Sequence, residues 1–349
     1  MSQFSPPACP VPHEGADRIL LAHGEGGRLM RRLIRDVFLP ALDHPQLRAR
    51  ADGACLPPVE GTPVVSTDSF VVSPLFFPGG SIGSLAVYGT VNDLAVCGAE
   101  PLYISVAWIV EEGLPVAVLS RIVEDLARAA RTCAVSVVTA DTKVVPNGAA
   151  DQVFLTTTGI GRLRPGIQWD VQRVCVGDRI VVSGPIGDHG IAVLAARGTL
   201  GLELDLASDS APLHELIGAT LAHSPGVHFV RDPTRGGVAA VLHEVAEAAQ
   251  VTLEIEEAAV PVRDPVRSAC EILGLDPLYV ACEGRLVAFV SPESASSIVR
   301  LLQSHPLGQR AASIGQVTGR GLAEVHVRSP LGALRVLDEP AGAPLPRIC

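Results

Sequence analysis

Lysine is almost absent from this sequence. Of its 27 basic residues, every one except Lys143 is arginine. A lysine ammonium can lose its proton or act as a compact point charge on a phosphate, whereas arginine stays charged and planar. Lys143 is therefore a candidate site residue, with chance survival in an arginine-biased composition as an equally weighted alternative.

Aromatic residues and positive charge are also scarce. Aromatic residues make up 4% of the chain, and its formal net charge is −10. A nucleic-acid surface needs basic stripes and stacking rings, so this composition argues against binding to DNA or RNA. An anionic substrate would need a local cation or oriented backbone amides.

Long hydrophobic runs are missing, although hydrophobic residues make up 48% of the chain and the mean hydropathy is +0.35. The most apolar stretch, residues 85–110, is interrupted by Asn92, Asp93, Glu100 and Pro101, so no span of about 20 apolar residues remains. The first fifteen residues have neither a basic start nor an apolar run, which predicts no secretory signal. We expect a cytoplasmic protein with no membrane contact.

Cysteine motifs are missing as well. The eight cysteines are spread along the chain, with no C-x-x-C and no His/Cys cluster at zinc-ligand spacing. This spacing predicts neither a disulfide framework nor a structural metal. Most of these residues are expected to be small buried hydrophobes.

The order of predicted elements indicates two α/β (α+β) domains, since 349 residues exceed one ordinary domain. Strands and helices alternate to about residue 165, and strand–glycine turn–helix units resume after a junction at 164–178. We expect four segments, which are an N-terminal segment over 1–50, a first domain over 51–165, a second over 170–330 and a tail over 331–349.

Four glycine-rich turns lead into predicted helices. They are AHGEGGRLM (22–30), FPGGSIG (77–83), SGPIGDHG (183–190) and DPTRGGV (232–238). Glycines at a helix N-terminus let backbone amides approach a phosphate, although an ordinary cap or tight turn is the usual reason for such a pattern. Neither a Walker A lysine motif nor a dinucleotide fingerprint is present, so a bound nucleotide needs another scheme.

Three aspartates fit such a scheme. Asp68 lies in STDS, Asp93 in TVNDLAV and Asp141 at the end of VVTADTK. Carboxylates near strand ends can hold Mg²⁺ and thereby polyphosphate oxygens. Each could instead be a capping or turn residue, but Asp93 stands within an apolar helix, where an unpaired charge is costly.

The C-terminus is unusual. Pro340, Pro344 and Pro346 predict an extended arm, which could reach roughly 30 Å and which ends on Cys349. Such an arm could carry a terminal thiol between a buried pocket and a partner. Fraying of an ordinary chain end is the alternative.

Several of these stretches together resemble one family. STDSFVVSPLFFPGGSIGSLAVYGTVNDLAVCGAEP, TADTKVV, RDPTRGGVAAVLHE, CEGRLVAFV and the terminal PLPRIC are similar to the hydrogenase-maturation factors of the HypE family, within the aminoimidazole ribonucleotide synthetase-like superfamily. The resemblance runs from about residue 15 to the last residue, and the terminal Pro-Arg-Ile-Cys is its most specific element.

The resemblance implies a two-domain fold with a flexible C-terminal tail, a homodimer packed through a shared β-barrel, and ATP with Mg²⁺ in a cleft. It implies that a HypF carbamoyltransferase carbamoylates the C-terminal cysteine. ATP then activates the amide oxygen, loss of phosphate leaves an S-cyanated cysteine, and the cyanide passes to iron on a HypC–HypD scaffold.

The same resemblance assigns roles to individual residues. Glu283 is the favoured base and Lys143 stabilises developing charge near Cys349, with the reverse assignment open. The aspartates named above serve Mg²⁺. The residues expected to bind ATP are His23, Gly24, Gly26, Gly27, Asp68, Asn92, Asp93, Asp141 and Arg235.

Two positions depart from the family pattern. Cys282 stands before Glu283 where the family often has asparagine, which removes an amide that could orient substrate. Glu25 stands in the first glycine turn where another glycine is common, which could place a negative charge near phosphates.

Two other functions stay open on the sequence. A thiamine monophosphate kinase or a selenophosphate synthetase would share the ATP cleft, and Cys9 could mimic the reactive cysteine of the latter. A non-catalytic protein whose tail is a docking peptide would need neither Lys143 nor the aspartates.

Overall fold

The computed structural model describes residues 17–198, 201, 204–339 and 348–349. Two β-sheets dominate this part of the chain, a four-stranded sheet in the first half and a seven-stranded sheet in the second. The prediction of a two-domain α/β (α+β) fold is confirmed. Cys9 and the tail residues 340–347 lie outside the described residues.

The strands, in chain order, are β1 (Pro63–Phe70), β2 (Phe76–Phe77), β3 (Gly80–Ser81), β4 (Ala99–Glu111), β5 (Ser136–Val145), β6 (Val153–Leu163), β7 (Arg179–Val182), β8 (Val227–Arg231), β9 (Val251–Glu256), β10 (Val287–Val290), β11 (Ala312–Arg320), β12 (Val325–Arg328) and β13 (Leu334–Val336). The α-helices are α1 (Arg28–Leu33), α2 (Leu39–Leu42), α3 (Pro45–Ala49), α4 (Ile82–Val96), α5 (Val116–Thr132), α6 (Asp188–Ala196), α7 (His214–Ala219), α8 (Gly237–Ala249), α9 (Asp264–Leu273) and α10 (Pro292–Gln303).

The first sheet has the strand order β1-β6-β4-β5. Only the β4–β5 pair is parallel, and α5 forms its crossover. α4 and α5 cover one face of the sheet, where the alternate residues Ile104, Val106 and Trp108 of β4 are almost fully buried. Because successive side chains of a strand point to opposite faces of the sheet, every second side chain of each strand enters the core.

The opposite face of this sheet is open to solvent. Val65 on β1 is 64% exposed and Ile109 on β4 is 38% exposed. Exposed β-branched residues on a sheet face are typical of a surface that another chain covers.

The second sheet has the order β13-β12-β9-β11-β7-β10-β8. Its pairs are antiparallel except β12–β9. α8 and α10 lie against it with separate apolar clusters, which include Phe289 and Leu242 in one and Ile298 and Leu302 in the other. No helix among the described residues is long and apolar enough to cross a membrane.

The last two residues of the chain lie inside the molecule. Ile348 is buried at 6% exposure within the apolar cluster of the first half. The backbone N–H of Val71, just after β1, donates to an oxygen of the terminal carboxylate of Cys349 at 3.1 Å. The end of the chain is therefore docked beside β1.

Candidate functional site

Four carboxyl groups meet beside this docked end. Asp68 comes from β1, Asp93 from α4, Asp232 from the turn after β8, and Glu283 from the loop before β10. We call these four residues the acidic cluster. Asp232 and Glu283 are almost fully buried, at 8% and 3% exposure, and Ser66 Oγ donates to Asp93 Oδ2 at 2.5 Å.

Burial raises the pKa of every member of the acidic cluster, and repulsion from neighbouring carboxylates adds to the rise at Asp68, Asp232 and Glu283. Desolvation is the main cause for each carboxyl. The pKa of Asp232 rises to about 7, with Asp93 the next cause. The pKa of Glu283 rises well above its usual value because the charges of Asp232, Asp68 and Asp93 add to desolvation. Such a group of oxygens could hold a hard divalent cation.

We expect the acidic cluster to make stability depend on pH in metal-free solution. Because Asp232 has a folded-state pKa raised from 3.8 to about 7, the native state binds the proton more tightly, and the free energy of unfolding falls as pH rises through this window. Asp232→Asn should therefore be more stable than wild type by about 1–3 kcal/mol at about pH 8 and indistinguishable near pH 4.

Urea unfolding across pH measures this difference. Asp264→Asn, at the start of α9 and outside the cluster, is the control. A difference in the free energy of unfolding between Asp232→Asn and wild type that did not change with pH would contradict the raised pKa of Asp232.

Cys349 lies at the edge of the acidic cluster. Burial raises the pKa of its thiol to about 12, with Glu283 adding to the rise and Arg235 opposing it. Arg235 also opposes the rise in the pKa of Asp68. This exposed guanidinium therefore lies between the acidic cluster and the terminal thiol. The docked thiol is neutral at physiological pH and is a poor nucleophile in this position.

The position of Glu283 is fixed by its backbone. Its N–H donates to Asp209 Oδ1 at 3.1 Å, while its own Oε1 has no hydrogen-bond partner among the described residues. Arg285 contacts the same aspartate, with its Nε 3.6 Å from Asp209 Oδ2. An unpartnered buried carboxyl oxygen beside a terminal thiol is suited to accept a proton from a group attached to that thiol.

Gly284 sets this arrangement, because a Cβ at this residue would lie 1.9 Å from the carbonyl oxygen of Asp209. We expect Gly284→Ala to lower the free energy of unfolding by about 1–3 kcal/mol, since the two loops must separate. Urea denaturation measures the loss. Gly319→Ala is the control, because its Cβ would meet nothing nearer than 3.7 Å. Equal stabilities of the two variants would contradict the tight contact.

Asn92 joins the two halves of the chain. It is 1% exposed, and its Nδ2 donates to the carbonyl oxygens of Ala211 and Glu283 at 3.1 and 3.2 Å. Its Oδ1 accepts from the N–H of Leu213 at 2.7 Å. Both ends of the amide therefore tie α4 to the loops of the second half, and nucleotide binding by Asn92 stays a prediction.

The remaining predicted residues form a second group on strand β5 and the loop beside it. Lys143 Nζ lies 3.2 Å from Asp141 Oδ2, and both side chains are exposed. His23 is buried and accepts the N–H of Leu20 on Nδ1. A Cβ on Gly24 would lie 2.8 Å from the backbone nitrogen of Val144, so glycine lets this loop contact β5. Gly26 and Gly27 follow it.

This second group lies apart from the acidic cluster. Asp68 is level with Thr157, Val106 and Ala140 across the sheet, so these residues share a face. Asp141 follows Ala140 and faces the opposite side. β1 and β5 are the two edge strands, about 14 Å apart. Within one chain, Asp141 and Lys143 therefore cannot share an ion or a tail with Asp68.

The two departures from the family pattern lie in different surroundings. Cys282 is fully buried, and its Sγ accepts the N–H of Gly187 at 3.2 Å, so it packs below α6 while Glu283 points to the acidic cluster. Glu25 is exposed beside the second group. The substitution at Cys282 therefore leaves the side of the site that faces the tail unchanged.

Three residues that support the site carry no recognisable signal in the sequence. Asp209 and Arg285 carry Glu283, and His189 donates to the carbonyl oxygen of Ile348 at 2.6 Å. The GDHG turn was recognised as a glycine turn, but no local pattern shows that its histidine meets the far end of the chain.

A cluster of Cys175, Asp178 and His228 lies elsewhere in the second half. Asp178 Oδ2 accepts from the N–H of Cys175 and from His228 Nδ1, and its Oδ1 accepts from the Cys175 thiol. These hydrogen bonds satisfy the buried carboxylate, so the cluster links β7 to β8.

Two domain families match this chain. The N-terminal domain of AIR synthase related proteins matches residues 50–163, and the C-terminal domain of the same proteins matches residues 176–328. Carbamoyl dehydratase HypE of Azotobacter vinelandii is 49% identical over 94% of this chain and 96% of its own length. The chain belongs to the HypE family.

Other HypE proteins agree with this assignment. Carbamoyl dehydratase HypE of Escherichia coli K12 is 47% identical over 95% of this chain and 100% of its own length. A crystal structure of HypE in complex with ATP has 44% identity and a TM-score of 0.90, covering 95% of this chain and 99% of that one. A HypE–HypF complex has 41% identity and a TM-score of 0.78, covering 90% of this chain and 100% of that one.

Thiamine monophosphate kinase from Aquifex aeolicus is a more distant structural neighbour of this chain. It has 18% identity and a TM-score of 0.57, covering 85% of this chain and 99% of that one. At this identity the likeness shows a shared fold alone.

Proposed function

We propose that this chain is an ATP-dependent carbamoyl dehydratase, which converts an S-carbamoyl group on Cys349 into an S-cyano group for the iron of a NiFe hydrogenase. The observation that carries the proposal is the docked C-terminus, which brings the terminal thiol next to Glu283 and Arg235. HypE relatives over nearly the full length support it.

The chemistry requires an activated oxygen, because an amide oxygen is a poor leaving group. The carbamoyl oxygen attacks the γ-phosphorus of ATP, ADP leaves, and one N–H proton passes to a base. The second N–H proton then leaves as the carbon–oxygen bond breaks, which gives a nitrile on sulfur and inorganic phosphate. The sulfur stays bonded to carbon throughout.

Glu283 is the base in this scheme. Its raised pKa matches a group that must take a proton from a weakly acidic amide, and its Oε1 has no hydrogen-bond partner among the described residues. Arg235, exposed beside Cys349 and Asp68, binds developing negative charge on oxygen and phosphate.

Magnesium accompanies ATP in this proposal. Asp68, Asp93 and Asp232 would hold it, since crowded carboxylates whose pKa values are raised supply the oxygen ligands that Mg²⁺ prefers. The ion would neutralise charge on the transferred phosphoryl group.

Loading of the carbamoyl group occurs on the undocked tail. A docked thiol with a pKa of about 12 is protonated and partly covered, so a carbamoyltransferase must take Cys349 outside the pocket. HypF is the proposed donor, supported by the HypE–HypF structure. We propose HypC–HypD as the acceptor of the cyano group, and the cytoplasm, where ATP is supplied, as the compartment.

We propose that the chain forms a homodimer through the open face of the first sheet. This face carries Val65 and Ile109, and Ile109 is level with Lys143 on β5. Pairing two such faces would bury this surface and place Lys143, Asp141 and the His23 loop at the contact with a second copy.

We expect Ile109→Asp to weaken this dimer by at least about tenfold in Kd, because a buried unpaired carboxylate is costly at an apolar contact. Sedimentation equilibrium measures the change. Leu331→Asp is the control, since Leu331 is 98% exposed in a turn of the second half. A monomeric wild-type protein would contradict the dimer.

Phosphate release tests the proposed reaction. Protein loaded with a carbamoyl group on Cys349 should release one phosphate per chain in a single turnover with Mg²⁺ and ATP. Unloaded protein should release little. Formation of ADP without phosphate release, from unloaded protein with added thiamine monophosphate, would instead indicate a small-molecule kinase.

A further inference from the structure

His189 makes the polar contact that holds the penultimate residue of the chain. It is the second residue of α6 and is fully buried. Its Nε2 donates to the carbonyl oxygen of Ile348 at 2.6 Å. The contact joins residues 159 positions apart, so it forms only when the tail is docked.

The donor at Nε2 is set by a chain of hydrogen bonds. The Ile348 carbonyl can only accept, so Nε2 carries the proton and Nδ1 of the neutral ring accepts the hydroxyl proton of Ser208 at 2.8 Å. Ser208 Oγ in turn accepts the N–H of Ser210 at 3.0 Å. The ring is then neutral with its proton on Nε2, the form that donates to Ile348. Burial lowers the pKa of His189, which favours this neutral form.

The orientation of the ring is fixed on its other side by packing. Phe77 lies edge-on to His189, with ring centroids 5.4 Å apart and an interplanar angle of 87°. The backbone of Ser208 is held in turn, since its N–H donates to the carbonyl oxygen of Pro78 at 2.8 Å. A ring locked by its neighbours loses little freedom when it binds the tail.

The polar contacts at the end of the tail go to backbone atoms. His189 donates to the Ile348 carbonyl and Val71 donates to the terminal carboxylate of Cys349, while the side chains of Ile348 and Cys349 pack against the apolar cluster. Neither hydrogen bond uses Cys349 Sγ. The same two hydrogen bonds therefore serve a free thiol, a carbamoylated sulfur and a cyanated sulfur.

We propose that His189 is a positioning residue that docks the tail and so places the group on Cys349 beside Glu283. The catalytic consequence rests on the proposed function, whereas the docking itself does not.

The undocked population can be measured without any activity. Because the docked thiol is protonated and partly covered, alkylation by iodoacetamide reports the fraction of time that Cys349 spends outside. The mass of the chymotryptic C-terminal peptide beginning at Asp338 identifies that site among the other cysteines. We expect His189→Ala to raise the alkylation rate of Cys349 about five- to tenfold, the change produced by losing one ordinary hydrogen bond.

Three further variants distinguish a role of His189 in positioning the tail from a general loss of packing around it. His189→Gln keeps a donor near the Nε2 position and should return the rate to within about twofold of wild type. His228→Ala breaks the link to Asp178 in the same half of the chain and should leave the rate unchanged. Ser208→Ala keeps the ring but removes its hydroxyl donor, and we expect a two- to fourfold rise. This variant carries the test if His189→Ala does not fold.

Carbamoyl loading and dehydration should respond differently to His189→Ala. Carbamoyl loading of His189→Ala by the carbamoyltransferase should be as fast as for wild type or faster, whereas ATP-dependent dehydration should slow by about the factor seen in alkylation. A misfolded variant would lose both.

Unchanged alkylation in His189→Ala and Ser208→Ala, or an equal rise in His228→Ala, would overturn the proposal. If alkylation responds as expected while loaded wild-type protein loses no water, the docking role stands and the proposed reaction fails.

Discussion

Cys349→Ser should abolish formation of the cyanated product, with a loss of about 10³-fold or more, because a serine hydroxyl is a far weaker nucleophile than a thiol and cannot carry a thiocyanate. ATP binding should persist, since the acidic cluster and Arg235 are unchanged. The measurement is the mass of the C-terminal peptide after incubation with the carbamoyltransferase, carbamoyl phosphate, Mg²⁺ and ATP.

Cys97→Ser is the matched control. Cys97 is also close to the acidic cluster, since Asp93 and Asp232 act on the pKa of its thiol, but it lies at the end of α4. We expect this variant to keep product formation. Product formation by Cys349→Ser would show that the tail is only a docking peptide, and loss in Cys9→Ser with activity in Cys349→Ser would favour a selenophosphate synthetase.

Glu283→Gln should slow dehydration by about 10²- to 10⁴-fold, the usual contribution of a positioned general base. The amide keeps the size of the side chain and the backbone bond to Asp209, so folding and carbamoyl loading should be preserved. Single-turnover decay of the carbamoylated peptide measures the step.

Glu271→Gln is the control for Glu283→Gln, because Glu271 is exposed on α9. Dehydration by Glu283→Gln within about tenfold of wild type, together with its loss in Lys143→Gln, would reverse the assignment and make Lys143 the base.

Local patterns in the sequence predicted much of the fold. The alternation of strands and helices expected to about residue 165 includes β1 (Pro63–Phe70), and the helix predicted after the glycine turn over 77–83 is α4 (Ile82–Val96). Ser81 caps that helix by accepting the N–H of Ser84. β-branched runs, glycine turns and capping residues act over a few positions, so the sequence displays them directly.

Long-range pairing could not be predicted in the same way. Asp68 and Asp141 both stand in strand segments, and each looked like a magnesium ligand. The strand order places them on opposite edges and faces of one sheet, and nothing within a few residues of either aspartate encodes that order. The roles of Asn92 and His189 were hidden for the same reason, because their partners lie more than 100 positions away.

The acidic cluster was predicted only in part. Asp93 was recognised because a carboxylate in an apolar helix needs a function, and Glu283 through family resemblance. Asp232 begins the glycine turn over 232–238, where no local pattern distinguishes it, and its burial next to Asp93 makes it a member of the cluster. The boundaries 1–50, 51–165, 170–330 and 331–349 stay a prediction.

The most direct test of the account is the mass of the C-terminal peptide of protein carbamoylated on Cys349, followed with and without ATP. We predict that the carbamoyl group is stable without ATP and that the peptide loses the mass of one water when Mg²⁺ and ATP are added. Consumption of ATP while the carbamoyl group on Cys349 stays intact would contradict the account.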